Sequence, residues 1–249
     1  MKNFWLALQF LTLLPGRKKR GEINPQDLAR SMAYYPVVGL LLGLLLWGAH
    51  EALAGTFPRP LADGITILFL VVLTAALHLD GLADTLDGLA FGKSPEERLR
   101  IMRDHRVGSF GVVGLILVLG MKGLALNTLP QEEAGRVLCL ALLLGRWSMV
   151  QMTYRSPYAR PEGGLGSAFK EHLRKKEVIL AGVMSIVFSF FLFPLWGVMI
   201  WLAVGLLTLG TQIFFQRKIG GFTGDILGAT NEVNEVFVLV GMAGILHSL

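Results

Sequence analysis

Long apolar stretches separated by short, polar and mostly basic segments run through the chain, and their lengths predict membrane-spanning helices. A bilayer core about 30 Å thick needs about 20 largely apolar residues in helical form. Stretches of this kind cover roughly 32–54, 62–79, 108–129, 135–154, 178–193, 195–216 and 232–248. Val178 to Gln216 holds 39 uncharged residues, about 58 Å as one helix, which is too long for one crossing. Pro194 lacks an N–H and divides that stretch in two. The pattern predicts an all-α, polytopic transmembrane bundle of about seven spans. Six is the alternative, the segments at 178–193 and 232–248 being the shortest. Met1 to Leu14 is apolar but too short to cross. It is followed by Pro15 and the basic run Arg17, Lys18, Lys19, Arg20 rather than by a small-residue cleavage site, so it predicts an interfacial or re-entrant helix and not a cleaved signal peptide. With no repeat, low-complexity tract or linker, residues 1–249 read as one domain.

Composition agrees. Of 249 residues 53% are apolar and 16% charged, against about 25% charged in soluble domains. That excludes a disordered chain, a coiled coil and an ordinary soluble enzyme. The single cysteine, Cys139, lies in an apolar run, which leaves no disulfide framework and no thiol metal site. The net charge of +5 suggests nucleic acid until the charges are placed. Of 23 basic residues, 19 fall on one side of the predicted spans, two (Arg59 and Arg136) on the other, and two (Lys122 and Arg146) inside them. By the positive-inside rule the N-terminus and the long polar loops face the cytoplasm and the C-terminus lies outside. The basic charge is therefore topology, the partner is the lipid bilayer, and no nucleic acid is expected.

Three polar clusters carry candidate chemistry. The first is His78-Leu-Asp80-Gly-Leu-Ala-Asp84-Thr-Leu-Asp87-Gly88. In a helix Asp80, Asp84 and Asp87 project at about 0°, 40° and −20°, on one face. Three like charges at a membrane boundary repel each other unless a cation lies among them, and hard oxygen ligands of this kind suit Mg²⁺ with phosphate as a further ligand. The plain alternative is three solvated carboxylates at a helix end. The second cluster is Gly224-Asp225 through Thr230-Asn231-Glu232-Val-Asn234-Glu235. Asp225, Asn231, Glu232 and Glu235 enter a membrane helix together and form a candidate second metal site, although acids also favour the first turn of any helix. The third is Met102-Arg103-Asp104-His105-Arg106-Val107-Gly108-Ser109-Phe110-Gly111. Arg103 and Arg106 suit phosphate and Asp104 suits a metal, whereas a purely anchoring role explains the arginines alone. His78 and His105 read as structural. Arg146, mid-span, needs a carboxylate or phosphate partner, and Lys122, nearer the external end, is expected to snorkel.

Two classes of function use such residues. A metal-dependent transferase acting on a diphosphate needs carboxylates and arginines at one interface. An ion-coupled transporter places its acids near the midplane on broken helices, with inverted repeats. Acids clustered toward one face, without a repeat, favour the enzyme.

In these motifs the chain resembles the cobalamin synthase family. The matching pieces are Phe10-Leu-Thr-Leu-Leu-Pro15, Tyr35-Pro-Val-Val-Gly39, the Asp80–Asp87 motif, Met102 to Gly111, Gly145-Arg146-Trp147 and Gly224 to Glu235. They span residues 10 to 235 in order, and no charged motif position departs from the family pattern. The resemblance implies a Mg²⁺-dependent transfer in the bacterial cytoplasmic (inner) membrane: adenosylcobinamide-GDP and α-ribazole, or its 5′-phosphate, give adenosylcobalamin, or its 5′-phosphate, and GMP. Under it Asp80, Asp84 and Asp87 hold metal, Asp84 or Asp87 deprotonates the attacking hydroxyl, Asp104 joins them, and Arg103, Arg106, Arg146 and Asn231 bind substrate. A CDP-alcohol phosphotransferase is the runner-up, but Asp84 stands where its Asp-Gly-x-x-Ala-Arg motif continues differently. A membrane prenyltransferase ranks third. The sequence leaves open monomer or homo-oligomer, the ribazole form and the mode of corrinoid docking.

Overall fold

The computed structural model describes residues 2–15, 24–104 and 106–248. Arg17, Lys18, Lys19 and Arg20 of the basic run, and His105, lie outside the described residues. Twelve α-helices make up the described fold: α1 (Lys2–Leu11), α2 (Pro25–Ser31), α3 (Tyr35–Ala54), α4 (Arg59–Leu73), α5 (Leu77–Phe91), α6 (Pro95–Ile101), α7 (Ser109–Thr128), α8 (Gln131–Arg155), α9 (Leu165–His172), α10 (Lys175–Leu192), α11 (Trp196–Ile219) and α12 (Gly224–His247). The nearest approach to sheet among them is an isolated bridge between Tyr158 and Phe222.

α8 is the central post, with α3, α10, α11 and α12 packed around it. Lipid supplies no hydrophobic drive between helices, so close backbone approach must hold them together. Gly43 of α3 provides it: a Cβ there would come within 2.5 Å of Cys139 Cα on α8. The outer helices carry exposed apolar side chains, among them Ile116, Leu117, Leu202 and Leu206, as a lipid-facing surface requires.

The apolar stretches seen in the sequence are largely helical, but fewer of the helices are by themselves long and apolar enough to cross. Among the described residues five helical stretches are long and apolar enough: Pro25–Ala54, α7, α8, α11 and α12. The pair α4 and α5 makes a sixth only when taken together. α10 has 18 residues, but Lys175, Lys176 and Glu177 fill its first turn, and it falls short alone. By length and composition the described helices give five spans, or six with the bent pair, which meets the six-span alternative.

The second stretch departs most from expectation. Residues 62–79 do not form one straight helix; the chain bends by 87° between α4 and α5. Ala75 and Ala76 take left-handed backbone angles, with φ of 51° and 54°, each at a cost of about 1–2 kcal/mol for a residue with a Cβ. Leu13 N donates to Leu73 O at 2.7 Å, so the segment after α1 satisfies a carbonyl that the bend leaves free. The bend turns the aspartate-bearing helix across the end of the bundle.

At the opposite end Arg59 and Arg136 cap helix carbonyls. Arg59 donates to Leu126 O at 3.1 Å and to Leu129 O, and Arg136 donates to Leu192 O. His50 Nε2 and Asn127 Nδ2 meet the two carboxylate oxygens of buried Asp63 at 2.7 and 2.8 Å, tying α3, α4 and α7 together.

Candidate active site

α5 and α12 cross in backbone contact, and glycine makes this possible. A Cβ at Gly81 would lie 2.7 Å from Asp225 O, and one at Gly228 would lie 3.0 Å from His78 O. The crossing sets Asp80 and Asp84 beside Asp225, at the start of α12. Asp84 is half-buried and feels the negative charges of Asp80, Asp225 and Asp87, relieved by one cation, Arg160. Arg160 donates to Asp225 Oδ2 at 2.6 Å, and Thr223 Oγ1, which caps α12, donates to the same oxygen at 3.1 Å.

Two cavities flank the Arg160–Asp225 pair. One, about 370 Å³, is bordered by Arg100, Arg103, Arg160, Glu96 and Glu162. Arg103 donates to Glu162 Oε2 at 2.7 Å across it. The Glu162 carboxyl is held below its usual range by a backbone hydrogen bond and by Arg103. The second cavity, about 170 Å³, contains Asp80 and Asp225 on one side and Phe10, Tyr35, Met149 and Phe169 on the other. Tyr158 stands near both: Gly164 and Gly166 pack on its ring, and burial pushes its hydroxyl pKa up.

The remaining residues singled out by sequence divide into three groups. Asp87 is 4% exposed and accepts from Gly108 N at 2.7 Å and Gly111 N at 2.9 Å. It is the anion at the N-terminus of α7, where helix dipole and free amides favour one. Each oxygen accepts one backbone N–H, so Asp87, expected as ligand or base, also anchors the start of α7. Asp104 and Arg106 lie on the surface, 54% and 93% exposed, and contact each other instead of joining Asp80 and Asp84. Arg103 of that motif borders the 370 Å³ cavity.

The third group sits inside the bundle. Glu235 accepts from Lys122, from Arg146 and from Asn231 Nδ2, the last at 2.8 Å, and Lys122 also donates to Glu232 Oε2 at 2.6 Å. Lys122, Arg146, Asn231, Glu232 and Glu235 are each at most 4% exposed. Two cations balance two anions, which is the condition for burying all four. Glu232 and Glu235, expected to help hold a second metal, are engaged by Lys122 and Arg146. Lys122 does not snorkel, and Arg146 and Asn231 are turned to Glu235.

Among the described residues no three carboxylate, imidazole or thiol groups converge into a ready metal site. Asp80, Asp84 and Asp225 are nevertheless hard oxygen donors near enough for the charges of Asp80 and Asp225 to act on Asp84, with the Arg160 guanidinium to offset them, a donor set that suits a divalent cation completed by substrate oxygens. Arg160 was not legible as a site residue: nothing in its local sequence separates it from anchoring arginines. Tyr35 and His78 border the second cavity, and their motifs gave no hint of that.

Comparison with known proteins places this geometry in context. Residues 3–243 match the family described as Cobalamin-5-phosphate synthase. A protein of Syntrophobacter fumaroxidans named adenosylcobinamide-GDP ribazoletransferase is 40% identical over 247 residues, 97% of this chain and 98% of its own. Proteins of the same name from Pseudomonas putida and Geotalea daltonii are 43% identical over 244 residues, 98% of this chain and 99% of its own, and 39% identical over 245, 98% of each. No solved structure matches the chain.

Proposed function

The chain belongs to the cobalamin-5-phosphate synthase family, membrane enzymes of cobalamin assembly, and from that premise we propose that it is an adenosylcobinamide-GDP ribazoletransferase of the bacterial inner membrane with its site toward the cytoplasm. It joins adenosylcobinamide-GDP to α-ribazole, or its 5′-phosphate, and releases GMP. The observation that carries this reading is the Asp80, Asp84 and Asp225 set with Arg160, held at the α5–α12 crossing between a basic cavity and an apolar one. A diphosphate and a second, less polar substrate can thus meet at one set of carboxylates.

Arg103 and Arg160 bind the diphosphate as planar forks, each engaging two oxygens. Asp84 takes the proton of the attacking ribose hydroxyl, since it is half-buried beside the cavities while Asp87 is fully engaged. The hydroxyl oxygen bonds to the phosphorus that carries the cobinamide, the diphosphate P–O bond breaks, and its electron pair leaves on GMP. Mg²⁺, held by Asp80, Asp84 and Asp225, would neutralise the diphosphate and the charge developing on GMP. A CDP-alcohol phosphotransferase is not favoured, because family membership points elsewhere.

The test uses purified protein in lipid vesicles with adenosylcobinamide-GDP and α-ribazole. Equal amounts of cobalamin and GMP are expected with Mg²⁺, and neither with EDTA. Product formed undiminished in EDTA would remove the metal from the account, and no product under any condition would remove the reaction.

A further inference from the structure

The apolar cavity contains polar atoms that the fold leaves without partners. Tyr35 is fully buried, and its hydroxyl has no hydrogen-bond partner of its own. Ser31 Oγ lies beside it and donates to Leu28 O at 2.6 Å, but no hydrogen bond joins it to the Tyr35 hydroxyl. His78 is 2% exposed, and both ring nitrogens are unpartnered. Both residues border the 170 Å³ cavity. Orphaned buried polar groups are costly, and these two border a cavity in which a ligand can complete them. The rest of the wall is aromatic: Phe10 stacks on Tyr35 at 6.4 Å between centroids, and Phe169 meets Phe10 edge-on at 5.4 Å.

We infer that this cavity is the acceptor pocket, and that it holds the base of a benzimidazole-type nucleoside between aromatic side chains with the Tyr35 hydroxyl donating to the free ring nitrogen. This deepens the transferase reading and rests on it. Hydrogen-bond arithmetic selects the base. A guanine presents donors and acceptors along most of its edge; with Asp80 and Asp225 given to the cation, Tyr35 and His78 alone would leave several unsatisfied. An N-glycosylated benzimidazole has one free nitrogen and otherwise apolar edges, which match one hydroxyl and an aromatic wall. His78 then remains for a sugar hydroxyl, and Asp80 and Asp225 border the same space on the side where the sugar must react. Guanine falls to the basic cavity with the diphosphate.

The test is calorimetric, on protein in lipid nanodiscs without the second substrate. The probes are α-ribazole, the matching dimethylindole riboside (C–H in place of the free ring nitrogen) and GDP. Wild type is expected to bind α-ribazole about tenfold more tightly than the indole analogue, the effect of one net hydrogen bond. Tyr35→Phe is expected to bind both nucleosides alike, at the indole level, with GDP affinity unchanged. Equal affinity of wild type for the two nucleosides, or binding of neither, overturns the assignment without recourse to the variant. A loss of GDP affinity in Tyr35→Phe would give the cavity to guanine instead. Because nothing turns over, failure of the transferase reading shows separately, as a protein that binds α-ribazole but makes no cobalamin.

Discussion

Glu235→Gln is expected to destabilise the bundle by about 3–5 kcal/mol, the usual result of breaking a buried ion pair from one side. Glu235 has one oxygen toward Lys122 and the other toward Arg146 and Asn231, all at most 2% exposed. An amide keeps the shape but carries no charge, and its NH₂ must face one of those donors. The network would then hold two cations against Glu232 alone. Lys122→Met is expected to cost a similar amount by leaving an anion in excess. The double variant restores a one-to-one balance and should lose less than the sum of the single losses, by about 1–3 kcal/mol of coupling. Thermal melting of the three variants beside wild type measures it; strictly additive losses would mean the four charges do not act as one unit.

The second large effect is chemical. Asp84→Asn is expected to reduce turnover about a thousandfold while the protein melts like wild type, because the several kcal/mol that a cation contributes to such a transfer depend on the carboxylates that hold it. Relief of repulsion from Asp80 and Asp225 compensates for any lost contact. Asp87→Asn should behave in the opposite way. Its amide would turn an N–H toward the amides of Gly108 or Gly111, so folding suffers by about 1–3 kcal/mol. Asp104→Asn, on the surface, should change little. Steady-state rates and melting temperatures of the three, measured together, separate chemistry from anchoring. A melting loss in Asp84→Asn as large as that in Asp87→Asn would erase the distinction.

These contrasts mark where the sequence stopped being readable. The apolar stretches became helices because their length and composition leave lipid as the only suitable solvent. The bend after Leu73 gave no warning, since two alanines rather than Gly or Pro adopt the left-handed turn. Helical spacing put Asp80, Asp84 and Asp87 on one face, but not which of them meets a helix N-terminus some twenty residues further on. The need of Arg146 for an anion was readable from its mid-span position. That Lys122 shares the same glutamate was not, because the two cations arrive on different helices. Arg160 lay hidden for a related reason: its meaning comes from Asp225, 65 residues away.

On the proposed reading Asp80, Asp84 and Asp225 hold a cation against the diphosphate while Arg160 grips the phosphates directly. Calorimetric binding of adenosylcobinamide-GDP, with and without Mg²⁺, to wild type, Asp84→Asn and Arg160→Gln tests it most directly, since no turnover is needed. The account predicts that Mg²⁺ tightens binding to wild type, that Asp84→Asn abolishes this enhancement, and that Arg160→Gln weakens binding whether or not Mg²⁺ is present. Equal affinity of wild type with and without Mg²⁺, or full enhancement retained in Asp84→Asn, would contradict it.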